Sequence, residues 1–164
     1  MFVANEYVRE GYLSQVSSFP NPIQLDFELK LMRILLDAEF DVLYKRHPGG
    51  VLKGKKIDFF PKQVQVIDSP FEEVLHDADL FIFSHSRTST FGPALCTNKP
   101  IIILDGNWEC FNPEVRKDLE KRCVFARTEF VDNRINIDEA ELLHAIGESK
   151  KRVTTEFYEL YLKN

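Results

Sequence analysis

The sequence predicts a doubly wound α/β fold in which about six parallel strands carry helices on both faces. Two observations support this fold class. Short apolar runs alternate along the chain with segments of helical periodicity, which is the order that a parallel sheet with crossover helices requires. The run at 101–104 is apolar without interruption, as is typical of a parallel strand that is buried on both faces. We therefore expect one Rossmann-like domain over residues 1–164.

The elements follow from local signals along the chain. Strands are predicted where apolar runs end at polar, Gly or Pro residues, at 2–4, 41–46, 64–67, 80–83, 101–104 and 124–125. Helices are predicted where capping residues or an apolar stripe mark them, from Asn21 to about 36, from Ser69 to Ala78 through a Ser69–Glu72 capping box, at 91–97, from Asn112 to about 121, from Asp138 to about 146 and at about 151–162. Residues 5–24 and 51–62 are predicted loops.

Composition excludes several function classes. The chain has 164 residues, of which 44% are hydrophobic and 29% charged, so one soluble globular domain is expected. The net charge of -5 argues against a nucleic-acid partner, because non-specific binding to nucleic acid depends on basic surface. The three scattered cysteines match neither a disulfide framework nor a metal site, which favours a cytoplasmic protein without a bound metal. No signal peptide or transmembrane segment is predicted.

The stretch 84–90 is the most informative polar cluster, because it joins a predicted buried strand to a predicted helix. It contains His85, Ser86, Arg87, Thr88, Ser89 and Thr90. Hydroxyls, a guanidinium and the free N–H groups of a helix start all favour an anion, most simply a phosphate. The alternative is that these Ser and Thr residues only cap the helix.

Two other predicted strand ends carry polar clusters, and parallel strands bring such ends to one edge of the sheet. The first contains His47, Pro48 and Gly49, with Lys45 and Arg46 as flanking residues; the second contains Asp105, Trp108 and Glu109. A histidine can donate to a phosphate oxygen, and glycine allows close approach of the backbone. Asp105 and Glu109 could bind ribose hydroxyls and Trp108 could stack on a base. The alternatives are a surface histidine, an ordinary turn, a helix cap and a Trp that packs in the core or at its rim.

Four segments also resemble a known family. They are 41–48 (DVLYKRHP), 79–84 (DLFIFS), 88–95 (TSTFGPAL) and 98–105 (NKPIIILD). Together they resemble the C-terminal, nucleotide-donor-binding half of GT-B glycosyltransferases. Within that family, the segments most resemble those of bacterial sialyl- and Kdo-transferases and polyglycerol-phosphate polymerases, which act in surface-carbohydrate synthesis. The resemblance implies that His47 with Pro48, and Thr88, Ser89 and Thr90, bind a CMP-, CDP- or UDP-activated donor, without a further cofactor.

The resemblance covers most of residues 25–127 and extends to one domain, whereas a complete GT-B enzyme has two. The acceptor half would then belong to the same parent protein or to a partner chain, and peripheral association with the inner membrane face would occur through that partner. The tail helix could cross to the second domain through Phe157, Leu160 and Tyr161, or pack on its own sheet. No catalytic base is identified. A non-catalytic nucleotide- or sugar-binding subunit and a GT-B-type epimerase or hydrolase fragment are the alternative functions.

Overall fold

The computed structural model describes residues 1–3, 19–47, 59–107, 111–154 and 156–163. Within these ranges the chain forms one mixed sheet, whose strands are β1 (Phe2–Val3), β2 (Leu43–Lys45), β3 (Gln65–Ile67), β4 (Phe81–Phe83), β5 (Ile101–Asp105), β6 (Val124–Val131) and β7 (Arg134–Ile137). The helices are α1 (Asn21–Asp37), α2 (Phe91–Leu95), α3 (Pro113–Arg122), α4 (Glu139–Ser149) and α5 (Glu156–Tyr161). Two 3-10 turns, Phe71–Glu73 and Leu75–Asp77, connect β3 to β4.

The strand order is β3-β2-β1-β4-β5-β6-β7. Strands β1 to β6 pair in parallel, and β7 is antiparallel to β6. The prediction of a doubly wound sheet with about six parallel strands is therefore confirmed. The order reverses between β1 and β4, so the crevice in which doubly wound folds bind ligands lies beyond the carboxyl ends of these two strands.

Helices cover both faces of the sheet. On one face, α1 and α4 pack on alternate residues of the strands, including Phe2, Tyr44 and Ile102. On the other, which we call the α2 face, the 3-10 turns and helices α2, α3 and α5 pack on residues such as Val3 and Phe83. The alternation of the two sets along each strand follows from the two-residue period of the pleat. None of the helices in the described ranges is long and apolar enough to cross a bilayer.

Two of the predicted caps are present. The side chains of Asn112 and Asp138 each accept a hydrogen bond at 2.9 Å, from the backbone N–H groups of Glu114 and Glu141 respectively. Asp138 and Glu141 have the spacing of a capping box, but the Glu141 carboxylate instead accepts a hydrogen bond from the N–H of Arg127 at 2.7 Å.

The predicted capping box at Ser69 is wrong. Pro70 holds the N-cap position in an extended conformation, and no side-chain cap forms at the 3-10 turn that begins at Phe71. The first helix also differs slightly, since its N-cap is Pro20 rather than Asn21, while Pro22 lies in the first turn as expected.

The sequence also underestimated the last strand. The predicted strand at 124–125 continues to Val131 and turns back into β7, which was not predicted. The turn residues Asp132 and Asn133 both have positive φ, at 52° and 60°, as a two-residue hairpin turn requires.

The tail helix is shorter than predicted and packs on its own domain. Phe157 is buried in the core of the α2 face, and the hydroxyl of Tyr161 donates to Asp118 Oδ2 of α3 at 2.8 Å. Leu160 is 58% exposed. Packing on this domain, one of the two expectations for the tail, therefore accounts for Phe157 and Tyr161.

Candidate functional site

A pocket of ≈ 270 Å³ lies at the carboxyl ends of β1 and β2 on the α2 face, where the strand order reverses. We call it the β1–β4 pocket. Strand ends, the first 3-10 turn and the turn before α2 contribute its lining, which consists of Val3, Lys45, Arg46, His47, Asp68, Pro70, Phe71, Glu72, Thr88, Ser89 and Thr90. The pocket therefore brings together residues that lie more than 80 positions apart in the chain.

The turn before α2 supplies the hydroxyl groups of the pocket. Thr88 Oγ1 and Thr90 Oγ1 are hydrogen-bonded at 2.7 Å, and the N–H of Thr90 donates to Thr88 Oγ1 at 3.3 Å. Thr90 holds the N-cap position, but its side chain makes no capping hydrogen bond to α2. These hydroxyls therefore organise the turn instead of capping the helix. Because α2 spans only Phe91–Leu95, its dipole is small, and the side chains must account for most of any attraction of an anion.

The end of β2 supplies the cationic groups. Lys45 is 4% exposed, and its Nζ donates to the carbonyl oxygen of Arg46 at 2.6 Å. Burial lowers the pKa of Lys45, against the opposing effect of the nearby carboxylates of Asp68 and Glu72. Arg46 is also buried, and its Nε lies 3.2 Å from Asp68 Oδ1. The half-buried His47 follows at the pocket wall.

His85 lies next to this turn, outside the pocket lining. Its side chain is 5% exposed, and its Nδ1 accepts a hydrogen bond from the N–H of Arg87 at 3.1 Å. Burial lowers the pKa of His85 to about 4, and the nearby charges of Arg87 and His47 act in the same direction. The imidazole is therefore neutral at pH 7, and its Nε2 carries the proton because Nδ1 is an acceptor.

The predicted site residues divide into three sets. His47, Thr88, Ser89 and Thr90 line the β1–β4 pocket together. Ser86, Arg87 and Asp105 do not line it. Pro48, Gly49, Trp108 and Glu109 lie outside the described residues.

Asp105 has a structural role that the sequence did not predict. Its carboxylate accepts a hydrogen bond from the N–H of Asn107 at 2.9 Å and forms an ion pair with Arg116 Nη2 of α3 at 2.8 Å. The guanidinium of Arg116 lies 3.4 Å from the centre of the Phe125 ring. This arrangement holds α3 to the carboxyl end of β5 and to the first part of β6.

Sequence reasoning missed part of the pocket. Lys45 and Arg46 were considered only as flanking residues and Glu72 only as part of a capping box, while Asp68 was not considered. Asp68 could have been found, because it follows β3 directly, as His47 closely follows β2. Glu72 could not, because its position depends on how the 3-10 turn packs over the sheet. The described residues contain no group of three His, Cys, Asp or Glu side chains that could hold a metal ion.

Comparison with known proteins gives little further information. No protein-family model matches the sequence. No curated protein matches it. Among solved structures, the chain is similar to spinosyn forosaminyltransferase SpnP, with a TM-score of 0.49 and 15% sequence identity, over 92% of this chain and 34% of that chain. This chain therefore spans about a third of that protein's length. At this TM-score the likeness carries no argument about activity.

Proposed function

We propose that the chain is the nucleotide-donor-binding half of a glycosyltransferase or glycerophosphotransferase, and that the β1–β4 pocket holds the donor phosphate. One observation carries this proposal. His47 and the residues Thr88 to Thr90, which the sequence resemblance pairs as donor-binding, line a single pocket although they are far apart in the chain. The pocket also lies at the strand-order reversal, the usual ligand position in this fold class.

The chemistry of the lining suits the departure of a phosphate. In the proposed transfer, the bond between the sugar or glycerol-phosphate group and the nucleotide breaks, and negative charge develops on the departing phosphate. Hydroxyl donors at Thr88, Ser89 and Thr90 and the cation of Lys45 would stabilise that charge in a largely preformed site. The proton of the acceptor would go to a base on the second half, in the same parent protein or a partner chain. Surface polysaccharide is the proposed product.

Nucleotide binding tests the proposal directly. Thermal unfolding is followed in the presence of CMP, CDP, UDP, GDP or ADP. A nucleotide at 100 times its Kd is expected to stabilise the fold by about 2.7 kcal/mol, which is readily measured. We expect a cytidine or uridine nucleotide to raise the Tm more than GDP or ADP does. If no nucleotide shifts the midpoint, the proposed function is wrong.

The hydroxyl turn is tested with the variant Ser89→Ala/Thr90→Ala. Loss of two hydroxyl donors to a charged phosphate is expected to weaken nucleotide binding about tenfold or more in calorimetry. Thr97→Val is the matched control, because Thr97 Oγ1 donates to Ala94 at the opposite end of α2 and does not line the pocket. Unchanged affinity in the double variant would mean that the hydroxyls serve only the turn.

A further inference from the structure

Lys45 occupies an exceptional position in the sheet. The parallel registers place Ile67, Lys45, Val3, Phe83, Ile103 and Phe125 side by side across β3, β2, β1, β4, β5 and β6. The other five residues are apolar and belong to the core of the α2 face or pack against it. Lys45 is the charged member of an otherwise hydrophobic row.

Burying an ammonium group in such a row costs desolvation free energy unless hydrogen bonds or an ion pair compensate for it. Lys45 has few such partners. Within the part of the chain that the structure describes, its Nζ donates to one carbonyl oxygen, that of Arg46, although an ammonium group has three N–H bonds to offer. Among the described residues, no carboxylate forms an ion pair with Lys45; Asp68 and Glu72 act on it only at longer range.

Lys99 shows what a structural lysine looks like in the same fold. Its Nζ donates to three backbone carbonyls, those of Leu75, His76 and Ala78, so all three of its N–H bonds have partners. Lys99 does not line the β1–β4 pocket. The contrast indicates that the charge of Lys45 serves something other than the fold.

We propose that Lys45 is the cation that binds the anionic group of the pocket's ligand, and that this group is a phosphate. Lys45 lines the pocket together with Thr88, Ser89 and Thr90. An oxyanion placed there would accept from the two remaining N–H bonds of Lys45 and from the hydroxyls whose hydrogen is not used in the Thr88–Thr90 hydrogen bond. This inference rests on the proposed function for its nucleotide ligand, but inorganic phosphate tests it independently.

The expected phenotype of Lys45→Met has two parts with opposite directions. Methionine has a similar length and no charge, so it fits an apolar row without a desolvated ammonium. The free protein is expected to keep its Tm or to gain up to roughly 4 °C. Affinity for inorganic phosphate and for CMP, measured by calorimetry, is expected to fall about 10- to 100-fold. Lys45→Arg keeps the charge and provides a second test of whether the charge itself carries the affinity.

Lys99→Met is the matched control. It leaves three carbonyl oxygens without their donor, so it is expected to lower the Tm while phosphate affinity stays within about twofold. A Lys45→Met protein that unfolds or loses stability as Lys99→Met does, or one that binds phosphate as tightly as the wild type, would overturn the assignment.

The two proposals can fail separately. Phosphate binding that depends on Lys45, without binding of any nucleotide, would support the anion site and contradict the donor-binding function. Nucleotide binding that survives Lys45→Met unchanged would support the function and contradict the role of Lys45. A wild-type protein that binds neither phosphate nor nucleotide would contradict both.

Discussion

The buried imidazole of His85 is expected to make the free energy of unfolding of this domain depend on pH in the acidic range. The fold lowers the pKa of His85 from 6.5 to about 4 through burial and the nearby charges of Arg87 and His47. Between these two values the unfolded chain binds a proton that the folded chain does not. The stabilisation is therefore complete above about pH 6.5 and is lost as the pH falls towards 4, by up to about 3 kcal/mol.

Urea unfolding between pH 4 and 7 measures this dependence. In the variant His85→Gln, the free energy of unfolding should vary less with pH, because the titrating group is gone. His76→Gln is the control, since His76 is exposed in the second 3-10 turn and should leave the pH dependence as in the wild type. An unchanged pH dependence in His85→Gln would contradict the assignment.

At the residue scale, the sequence identified His47 and Thr88 after two strand ends but missed Asp68 after a third, and it missed Lys45, whose role depends on lateral packing. His47 and Thr88 were predicted because a strand-end rule places them at one edge of the sheet. Lys45 was seen only as a neighbour of His47. Its significance depends on Val3 and Ile67 beside it, and a sheet register of this kind is not visible in one sequence.

At the element scale, the hairpin between β6 and β7 shows how a missed turn shortens a predicted strand. Asp132-Asn133 is a weaker turn signal than Asn-Gly, although both residues adopt the left-handed conformation that such a turn needs. The alternation of β6 is also interrupted, because Phe130 and Val131 are adjacent and both exposed. Because the turn was not recognised in the sequence, the predicted strand was not extended beyond 125 and β7 was not predicted.

Substitutions at Asn133 test this turn. Its φ of 60° costs an alanine side chain about 1 kcal/mol, whereas glycine adopts it freely. We expect Asn133→Ala to lower the free energy of unfolding by about that amount and Asn133→Gly to leave it equal or raise it slightly. Asn98→Ala is the control, because Asn98 is exposed and is not among the residues with positive φ. Equal stability of the Ala and Gly variants in urea would argue against a strained turn.

Similar capping signals have different outcomes for a local reason. Asn112 and Asp138 cap their helices, whereas Ser69 does not, although Ser69 and Asp138 are each followed three residues later by a glutamate. The difference lies in the proline that follows. Pro113, after Asn112, is the first residue of α3, whereas Pro70, after Ser69, is itself extended and holds the N-cap position, so the helical turn begins only at Phe71. The segment to β4 is then short and forms two 3-10 turns.

At the scale of the whole molecule, the pocket lies on the α2 face of the sheet but away from helices α3 and α5. The β1–β4 pocket draws on strand ends, the first 3-10 turn and the turn before α2, and its lining includes no residue of α3 or α5. The alternation of elements was sufficient to predict this layering. It was not sufficient to predict what the tail helix packs on, since Phe157, Leu160 and Tyr161 fit one helical stripe in the sequence and yet differ in exposure.

Substitutions in the tail helix test whether this helix packs on its own domain or serves a second domain. Phe157 is 7% exposed and packs in the core of the α2 face, whereas Leu160 is 58% exposed. Phe157→Ala is therefore expected to cost about 3 kcal/mol or more in urea unfolding, and Leu160→Ala less than about 0.5 kcal/mol. Nucleotide affinity should stay within about twofold in both variants, because neither residue lines the pocket. If instead the whole helix serves a second domain, both substitutions would leave the stability of the isolated chain unchanged.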